Sequence, residues 1–460
     1  MKFPSWRASR GTYKKKETMM TTSALPVSPS LGDLVSAFAA GTASPVDFLE
    51  GALARIDRDN GRLHAFEHVA RESARAEARA SAERFSRGAH RGPLDGIPVG
   101  VKDVLAVRGM PLGAGSPTLK GQIASADSAV VGRLRRAGAV IVGINSCDEY
   151  ALSTVGASAV NPVDPGRIAG GSSGGSAVAV AAGMCPVSIG TDTGGSIRIP
   201  AACCGVVGYK PSRGVLDTEG LIPMAASLDH LGVTARTAAD TAIVYRTLAS
   251  GTEHRLEKVG GLRLGVPQNL VGVADAEVQE SFAAFLSRLE NLGVHAVPVE
   301  LPSVDTVRAI HHTVVPVELA AYHHESNPHL DRCGEVLRMV VGLADGISGV
   351  DYFRARSARA DLAAQVDSAL AGVDALVMPT LPVPVPSTAA HELTVDSQLV
   401  DITSALVSFT ALFNHTGHPV ASLPVPGAGA AAASGAQIVG PLGSDDGLLS
   451  IVVALEDALR

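Results

Sequence analysis

Two glycine-rich segments of this chain contain serines that could act as nucleophiles. The segment GGSSGGSA, residues 170–177, contains Ser172, and the segment GTDTGGSIR, residues 190–198, contains Ser196. Glycine allows sharp turns in which several backbone N–H groups converge on one point. Such a group of donors can stabilise the oxyanion that forms during acyl transfer. Both segments are therefore candidates for the nucleophile of an acyl-transfer enzyme.

The first segment has three competing interpretations. Residues 170–174 match the G-x-S-x-G pattern of a nucleophile elbow, which would make Ser172 the nucleophile. However, the preceding NPVDPGRIA has two prolines and little strand character, whereas an elbow follows a strand. A linker is disfavoured because the apolar AVAVAAGM follows at once, and a phosphate-binding loop would need a lysine that is missing here.

The second serine has a better context for catalysis. An apolar run at 187–189 leads into a turn that contains Gly194 and Gly195 and ends at Ser196. This arrangement predicts a strand followed by a sharp turn whose N–H groups lie beside the serine hydroxyl. Ser196 is thus the stronger candidate for the nucleophile.

A serine nucleophile needs a base, and either histidine or lysine could serve. The chain has 14 histidines, none in a recognisable local signature, and beyond residue 16 only four lysines. Lys102 ends the apolar stretch GIPVGVK, where loss of water would favour a neutral amine that can accept a proton. The alternative is an ion pair between Lys102 and Asp103, and the residues alone do not decide between the two.

The elements that must position these residues alternate along the chain. Residues 30–90 have helical spacing, with Ser44 predicted as a helix cap before Pro45. From Leu94 onward, short apolar runs such as AVIVGIN and CPVSIGTD alternate with helical stretches such as SAVVGRLRRAG. This alternation predicts the α/β class, with a sheet covered by helices on both faces.

The amino-acid composition indicates which kinds of partner and which cellular compartment to expect. Apolar residues make up 46% and charged residues 18%, which favours a folded chain with a large core. The net charge of −7 argues against a nucleic acid partner. Five cysteines without a C-x-x-C spacing argue against a disulfide framework or a zinc ribbon, so we expect a cytoplasmic protein. No apolar run is long enough for a membrane span.

The motifs together resemble the amidase signature family. The segments GIPVGVKDV, GGSSGGSA and GTDTGGSIRIPAACCGVVGYKP occur in the family's order and at its spacing. The resemblance runs from about residue 30 to the C-terminus. It implies the family's large mixed twisted sheet within one domain at 30–460. We expect a helical part at 30–90, a catalytic core at 94–240, a substrate-pocket and C-terminal part at 241–460, and a disordered tail at 1–29.

The resemblance also implies roles for individual residues. Ser196 would be the acyl-forming nucleophile, Ser172 a bridging serine joined to Gly171 by a cis peptide bond, and Lys102 the base. The remaining residues would support them: an oxyanion hole from the N–H groups of residues 193–196 (Thr193, Gly194, Gly195 and Ser196), Ser173 hydrogen-bonded within the proton relay, and Asp192 and Arg198 bracing the turn.

The function that the resemblance implies is an amidohydrolase that releases ammonia or an amine and needs no metal or cofactor. Three alternatives remain: the glutaminase-type subunit of a tRNA-dependent amidotransferase, a hydrolase of carbamoyl compounds such as carboxybiuret or allophanate, and a non-catalytic binding member of the fold. The presence of Lys102, Ser172 and Ser196 argues against the last of these. The C-terminal SALVSFTALFNHTGHPVASLP is more similar to stand-alone amidases. The expected partner is a small-molecule amide, with a homodimer left open.

Three other features need an interpretation. Two histidine pairs, at 311–312 and 323–324, could bind a metal, but without an HExxH-type spacing we expect a helix that borders the substrate cleft. Cys203 and Cys204 are expected to be packing residues. The family's GLPxG segment is replaced here by AAAASGAQIVG, residues 430–440, which leaves the substrate open.

Overall fold

The computed structural model describes residues 29–252, 256–327, 329–425 and 435–460. The expected disordered tail therefore lies outside the described residues, apart from its last position. The helices of the described ranges are α1 (Leu31–Ala39), α2 (Pro45–Leu63), α3 (Arg71–Ser86), α4 (Ala129–Arg136), α5 (Gly174–Ala181), α6 (Arg198–Cys204), α7 (Ala238–Ala249), α8 (Gln268–Val271), α9 (Ala276–Asn291), α10 (Val304–Ser326), α11 (Glu335–Leu343), α12 (Gly349–Leu370), α13 (Ile402–Val407), α14 (Leu412–Thr416) and α15 (Asp445–Leu459).

The strands form one large sheet and one small hairpin. They are β1 (Phe66–Val69), β2 (Pro98–Lys102), β3 (Val140–Asn145), β4 (Val187–Asp192), β5 (Val207–Lys210), β6 (His230–Ala235), β7 (Arg263–Pro267), β8 (His295–Val299), β9 (Ala375–Pro379), β10 (Glu392–Val395), β11 (Gln398–Asp401), β12 (Val420–Leu423) and β13 (Ala436–Val439). The large sheet has 11 strands in the order β1-β3-β2-β4-β6-β5-β12-β13-β9-β7-β8, and β10 pairs with β11.

The large sheet is mixed, as predicted. Strand β2 pairs in parallel with β3 and β4, and β7 pairs in parallel with β8 and β9. The other neighbours pair antiparallel. Because parallel strands end at the same edge of a sheet, the ends of β2 and β4 lie together. Lys102 ends β2, and the turn that contains Ser196 follows β4.

Helices cover both faces of this sheet, which confirms the predicted α/β class. Along β9, Ala375 and Val377 belong to a buried cluster with side chains of α7, α9 and α15. Leu376 and Met378 belong to the other cluster, with side chains of α10 and α12. Since successive strand residues point to opposite faces, the two clusters lie on the two sides of β9.

The N-terminal region differs from its prediction in one element. Residues 30–90 contain the expected helices, and the Ser44 hydroxyl accepts the N–H of Val46 at the start of α2. They also contain β1, which pairs antiparallel with β3 at the sheet edge. Asn60 fixes its start, because its side chain bonds both the N–H and the carbonyl of Phe66. A strand of four residues is too short to show a period of its own.

Close packing against the sheet sets the two serine segments in place. A Cβ atom on Gly190 of β4 would lie 2.9 Å from Ser173 Oγ. A Cβ atom on Gly208 of β5 would lie 2.7 Å from Ala201 Cβ in α6. Only glycine at these two positions lets the segments lie this near to the strands. Among the described residues, no helix is both long and apolar enough to span a membrane.

Candidate active site

The Lys102 amine lies in the interior beside two hydroxyl groups. Its side chain has no solvent exposure, and Nζ lies 2.8 Å from Ser172 Oγ and 2.8 Å from Thr191 Oγ1. Strand β2 carries the lysine, and the neighbouring parallel strand β4 carries the threonine. The structure thus brings together Lys102 and Ser172, which are 70 residues apart in the sequence.

Burial sets the charge state of Lys102. Loss of water lowers its pKa to about 8, although nearby acidic groups, Asp148 among them, favour the charged form. The alternative partner from the sequence, Asp103, is engaged elsewhere: its carboxylate accepts the N–H groups of Gly113 at 2.8 Å and Gly115 at 3.0 Å. The amine can therefore be neutral near physiological pH.

The segment that contains Ser172 has the backbone conformation that the resemblance implies. The peptide bond between Gly171 and Ser172 is cis. Ser173 donates its N–H to the carbonyl of Ser196 at 3.1 Å, which joins the two serine segments. Its hydroxyl donates to the Thr191 carbonyl at 3.1 Å. The expectation that Ser173 hydrogen-bonds within the relay is therefore not met in this structure, since that buried hydroxyl is bound to the backbone of β4.

The turn between β4 and α6 presents unused donors. Among the described residues, the N–H groups of Thr193, Gly194, Gly195 and Ser196 have no hydrogen-bond acceptor. Gly195 has a φ of 135°, a conformation that favours glycine. Ser196 itself is 5% exposed. A reacting carbonyl beside Ser196 would therefore find N–H groups that no other acceptor occupies.

A buried ion pair holds this turn. Arg198 donates from Nη2 to Asp192 Oδ1 at 2.8 Å and from Nε to Oδ2 at 3.0 Å, and both side chains have zero exposure. Burial acts to raise the pKa of Asp192, but the ion pair with Arg198 outweighs it and holds that pKa well below its usual range. Asn414 adds a hydrogen bond from Nδ2 to the Asp192 carbonyl at 2.8 Å. The predicted bracing of the turn by Asp192 and Arg198 is confirmed.

Two supporting residues of the turn were not predicted from the sequence. Asp229 accepts the hydroxyl of Thr193 at 2.5 Å and the N–H of Met224 at 3.0 Å. Thr191 contacts the Lys102 amine. Both lie in the part of the chain where the family resemblance is found, but nothing in their spacing indicates which group each contacts.

Both histidine pairs lie on α10, and His311 of the first pair lies beside the turn between β4 and α6. A Cβ atom on Gly194 would lie 3.1 Å from His311 Cε1. His311 Nδ1 lies 3.2 Å from His415 Nε2. Burial lowers the pKa of His311 to about 3, so the ring is neutral. Among the described residues, no group of three His, Cys, Asp or Glu side chains is placed to hold a metal ion.

The remaining features near the site have structural roles or are not described. Cys203 and Cys204 are buried in α6, and burial raises the pKa of Cys203 to about 12, so its thiol stays protonated. This fits the expected packing role. The loop at 426–434, where the sequence departs from the family's GLPxG segment, lies outside the described residues; β13 follows it.

The comparison with protein families identifies the chain. A family model described as Amidase matches residues 47–449. The chain belongs to this family, the amidase signature family. As such it is an enzyme that acts on amide C–N bonds.

Individual members of the family are similar over most of the chain. A glutamyl-tRNA(Gln) amidotransferase subunit from Anaeromyxobacter sp. (strain K) is 37% identical over 390 residues, which are 75% of this chain and 79% of that protein. A solved structure described as an amidase is 35% identical, with a TM-score of 0.88 over 94% of this chain and 100% of that one. The corresponding amidotransferase subunit of Thermotoga maritima has a TM-score of 0.73 at 27% identity over 90% of this chain and 91% of that one.

The buried ion pair gives a stability prediction. Replacing Arg198 with Met leaves Asp192 buried without its cation, so we expect the free energy of unfolding to fall by about 3–5 kcal/mol. Urea denaturation followed by circular dichroism measures this loss. The matched control is Arg87→Met, which breaks the exposed pair with Glu83 and should cost less than about 1 kcal/mol. Equal losses in both variants would show that the ion pair does not hold the turn.

Proposed function

We propose that this protein is a stand-alone amidohydrolase that cleaves a carboxamide through an acyl-enzyme on Ser196. The observation that carries the proposal is the buried contact between Lys102 Nζ and Ser172 Oγ, 2.8 Å long, next to a turn whose N–H groups are unused. A base, a bridging hydroxyl and an oxyanion site then come from three segments that the fold places at one edge of the sheet. Ser172, Ser196 and Lys102 are the proposed triad.

The acylation step follows from the charge state of the lysine. Neutral Lys102 accepts the proton of Ser172 while Ser172 accepts the proton of Ser196. The Ser196 oxygen attacks the amide carbonyl and forms a tetrahedral oxyanion. We assign stabilisation of this oxyanion to the N–H groups of residues 193–196, each of which can contribute about 3 kcal/mol.

The relay then runs in the opposite direction. The proton held by Lys102 returns through Ser172 to the leaving nitrogen, and ammonia or an amine departs from the acyl-enzyme. Water attacks the ester at Ser196, with its proton taken by the same pair, and the acid is released. Thr191 positions the relay, since its hydroxyl contacts the Lys102 amine. Ser173 instead holds the Ser172 segment against β4 through its bond to the Thr191 carbonyl.

The second candidate function is that of a subunit of a tRNA-dependent amidotransferase. The 37% identity to a subunit of such an enzyme favours it. The structural comparison favours hydrolysis instead, because the TM-score is 0.88 with an amidase and 0.73 with the amidotransferase protein.

Ammonia release from a panel of aliphatic amides, aryl amides, carbamoyl compounds and glutamine separates the two candidate functions. Turnover of simple amides by the chain alone supports hydrolysis, whereas glutamine turnover that requires tRNA and a partner protein supports the amidotransferase.

Covalent labelling identifies the nucleophile without knowledge of the substrate. A fluorophosphonate should form one adduct, located on Ser196 by peptide mass spectrometry. Ser196→Ala should abolish the adduct because the attachment point is gone. Ser172→Ala should slow labelling by a factor of about 10²–10⁴ through loss of proton transfer, with the adduct still on Ser196. If Ser172→Ala abolished the adduct while Ser196→Ala still formed one, the two serines would have exchanged roles.

The rate of labelling should depend on the ionisation of Lys102. Because the lysine must be neutral and burial lowers its pKa to about 8, the rate should fall about tenfold per pH unit below that value. Lys102→Met should label slowly at every pH. The exposed Lys120→Met serves as the control and should keep the wild-type profile. A wild-type rate that stays flat down to about pH 4 would exclude Lys102 as the base.

A further inference from the structure

A second cavity lies beside the braces of the nucleophile turn. Its volume is about 670 Å³, and its wall combines residues 211–218, part of the segment 226–231, Arg133 of α4 and the side of α12. None of Lys102, Ser172 and Ser196 lines it. Its size is in the range of pockets that hold small molecules. The cavity is therefore separate from the proposed catalytic centre and large enough for a ligand.

Arginines without carboxylate partners dominate the wall. Arg213, Arg356 and Arg359 all line the cavity. No ion pair among the described residues includes any of them. Burial lowers the pKa of Arg213 to about 10; repulsion from Arg359 and Arg356 adds to the effect, while Glu318 and Asp229 oppose it. Buried cations are normally paired, whereas these arginines have no carboxylate in direct contact.

The hydrogen bonds of these arginines go to neutral groups. Arg213 donates to the carbonyls of Ser227 and Asn414. Arg359 donates to the hydroxyl and the carbonyl of Ser227, each at 2.8 Å. Arg356 is exposed and reaches the Tyr352 hydroxyl at 3.4 Å. None of these contacts neutralises the positive charge.

Carboxylates in or beside the wall accept hydrogen bonds from other donors. Glu318 accepts the N–H of Ser227 at 2.8 Å and its hydroxyl at 2.5 Å. Asp229 and Asp217 line the cavity and accept the Thr193 hydroxyl at 2.5 Å and the Glu219 N–H at 2.9 Å respectively. With Arg133, the lining holds four arginines against these two aspartates, so the wall keeps a net positive charge.

The one histidine of the wall adds no positive charge to it. His230 lines the cavity and is only 3% exposed. Its Nδ1 lies 2.6 Å from the Leu228 carbonyl, which can only accept, so Nδ1 carries the proton. Burial holds the pKa of His230 well below its usual range, so the ring is neutral. Its Nε2 is buried without a partner in the described structure and is not open to the cavity.

We propose that this cavity, defined by Arg213, Arg356 and Arg359, binds a small oxyanion. A phosphate group meets this requirement, and so does a carboxylate. Arginine recognises both classes of oxyanion through paired N–H groups.

The site contacts the groups that hold the nucleophile turn. Asp229, next to His230, accepts the hydroxyl of Thr193. Arg213 holds the carbonyl of Asn414, whose side chain donates to Asp192. A bound anion would therefore lie two contacts away from the proposed oxyanion site while remaining outside it.

Calorimetric titration of the full chain tests the proposal at fixed ionic strength and pH 7.5. Inorganic phosphate and L-malate are the two probes, and saturable binding of either at one site per chain is expected. Arg356→Gln should weaken binding about fivefold, and the exposed Arg354→Gln on the same helix should change it less than twofold.

Several results would overturn the proposal, and each is independent of enzymatic activity. One is the absence of saturable binding of both probes up to about 10 mM, which is weaker than any useful affinity. Another is equal weakening by Arg356→Gln and Arg354→Gln, which would indicate diffuse electrostatic attraction. The Ser196→Ala variant should bind as the wild type does, and loss of binding there would place the anion in the catalytic centre.

Discussion

Desolvation of the Lys102 amine is the constraint on which the rest of the site depends. An ammonium ion taken fully out of water is costly, so burial of an unpaired lysine lowers its pKa far enough that part of the amine is neutral near physiological pH. In the described structure the amine has two hydroxyl neighbours, Ser172 and Thr191, and no salt bridge. A neutral amine of this kind is a base, whereas an ion pair with Asp103 would have made it a structural cation. The engagement of Asp103 with the 113–115 loop is therefore as important as the position of the lysine.

The proposed chemistry also requires that the turn between β4 and α6 keep its N–H groups free of acceptors within the protein. Such a turn has few contacts of its own, so other parts of the chain must hold it. Asp192 and Arg198 do this from its two ends, and Asn414 binds both of them. Asp229 fixes the Thr193 side chain from the start of β6. The family motifs lie between residues 94 and 240, but residues beyond 400 are needed to complete the site.

Much of the site could be predicted from the sequence, for identifiable reasons. The short apolar runs predicted β2, β3 and β4, and the glycine-rich turns indicated both serine segments. The residues alone left the base undecided, and the family resemblance supplied the roles of Lys102 and Ser172. The position of Lys102 beside Ser172 agrees with that resemblance, while the catalytic roles themselves remain a proposal.

The features of the site that could not be predicted depend on contacts between segments far apart in the sequence. No local sequence pattern encodes such contacts. The bond between Thr193 and Asp229 spans 36 residues, and that between Arg198 and Asn414 spans 216. The hydroxyl of Ser173 turned to the backbone of β4 because Gly190 leaves room for it there. The arginines of the second cavity come from two segments that the sheet and α12 bring together, so their shared lack of carboxylate partners is invisible in the sequence.

The charge state of Lys102 is the central claim, and it can be measured directly. In protein labelled with ¹³C at lysine Cε, the shift of each Cε signal reports protonation of its own amine as the pH is varied. The Lys102 signal is assigned by its absence in Lys102→Met. The structure predicts a titration midpoint of about 8 for this signal, lowered by burial. A midpoint near the ordinary lysine value of 10.5 would contradict the assignment of Lys102 as the base.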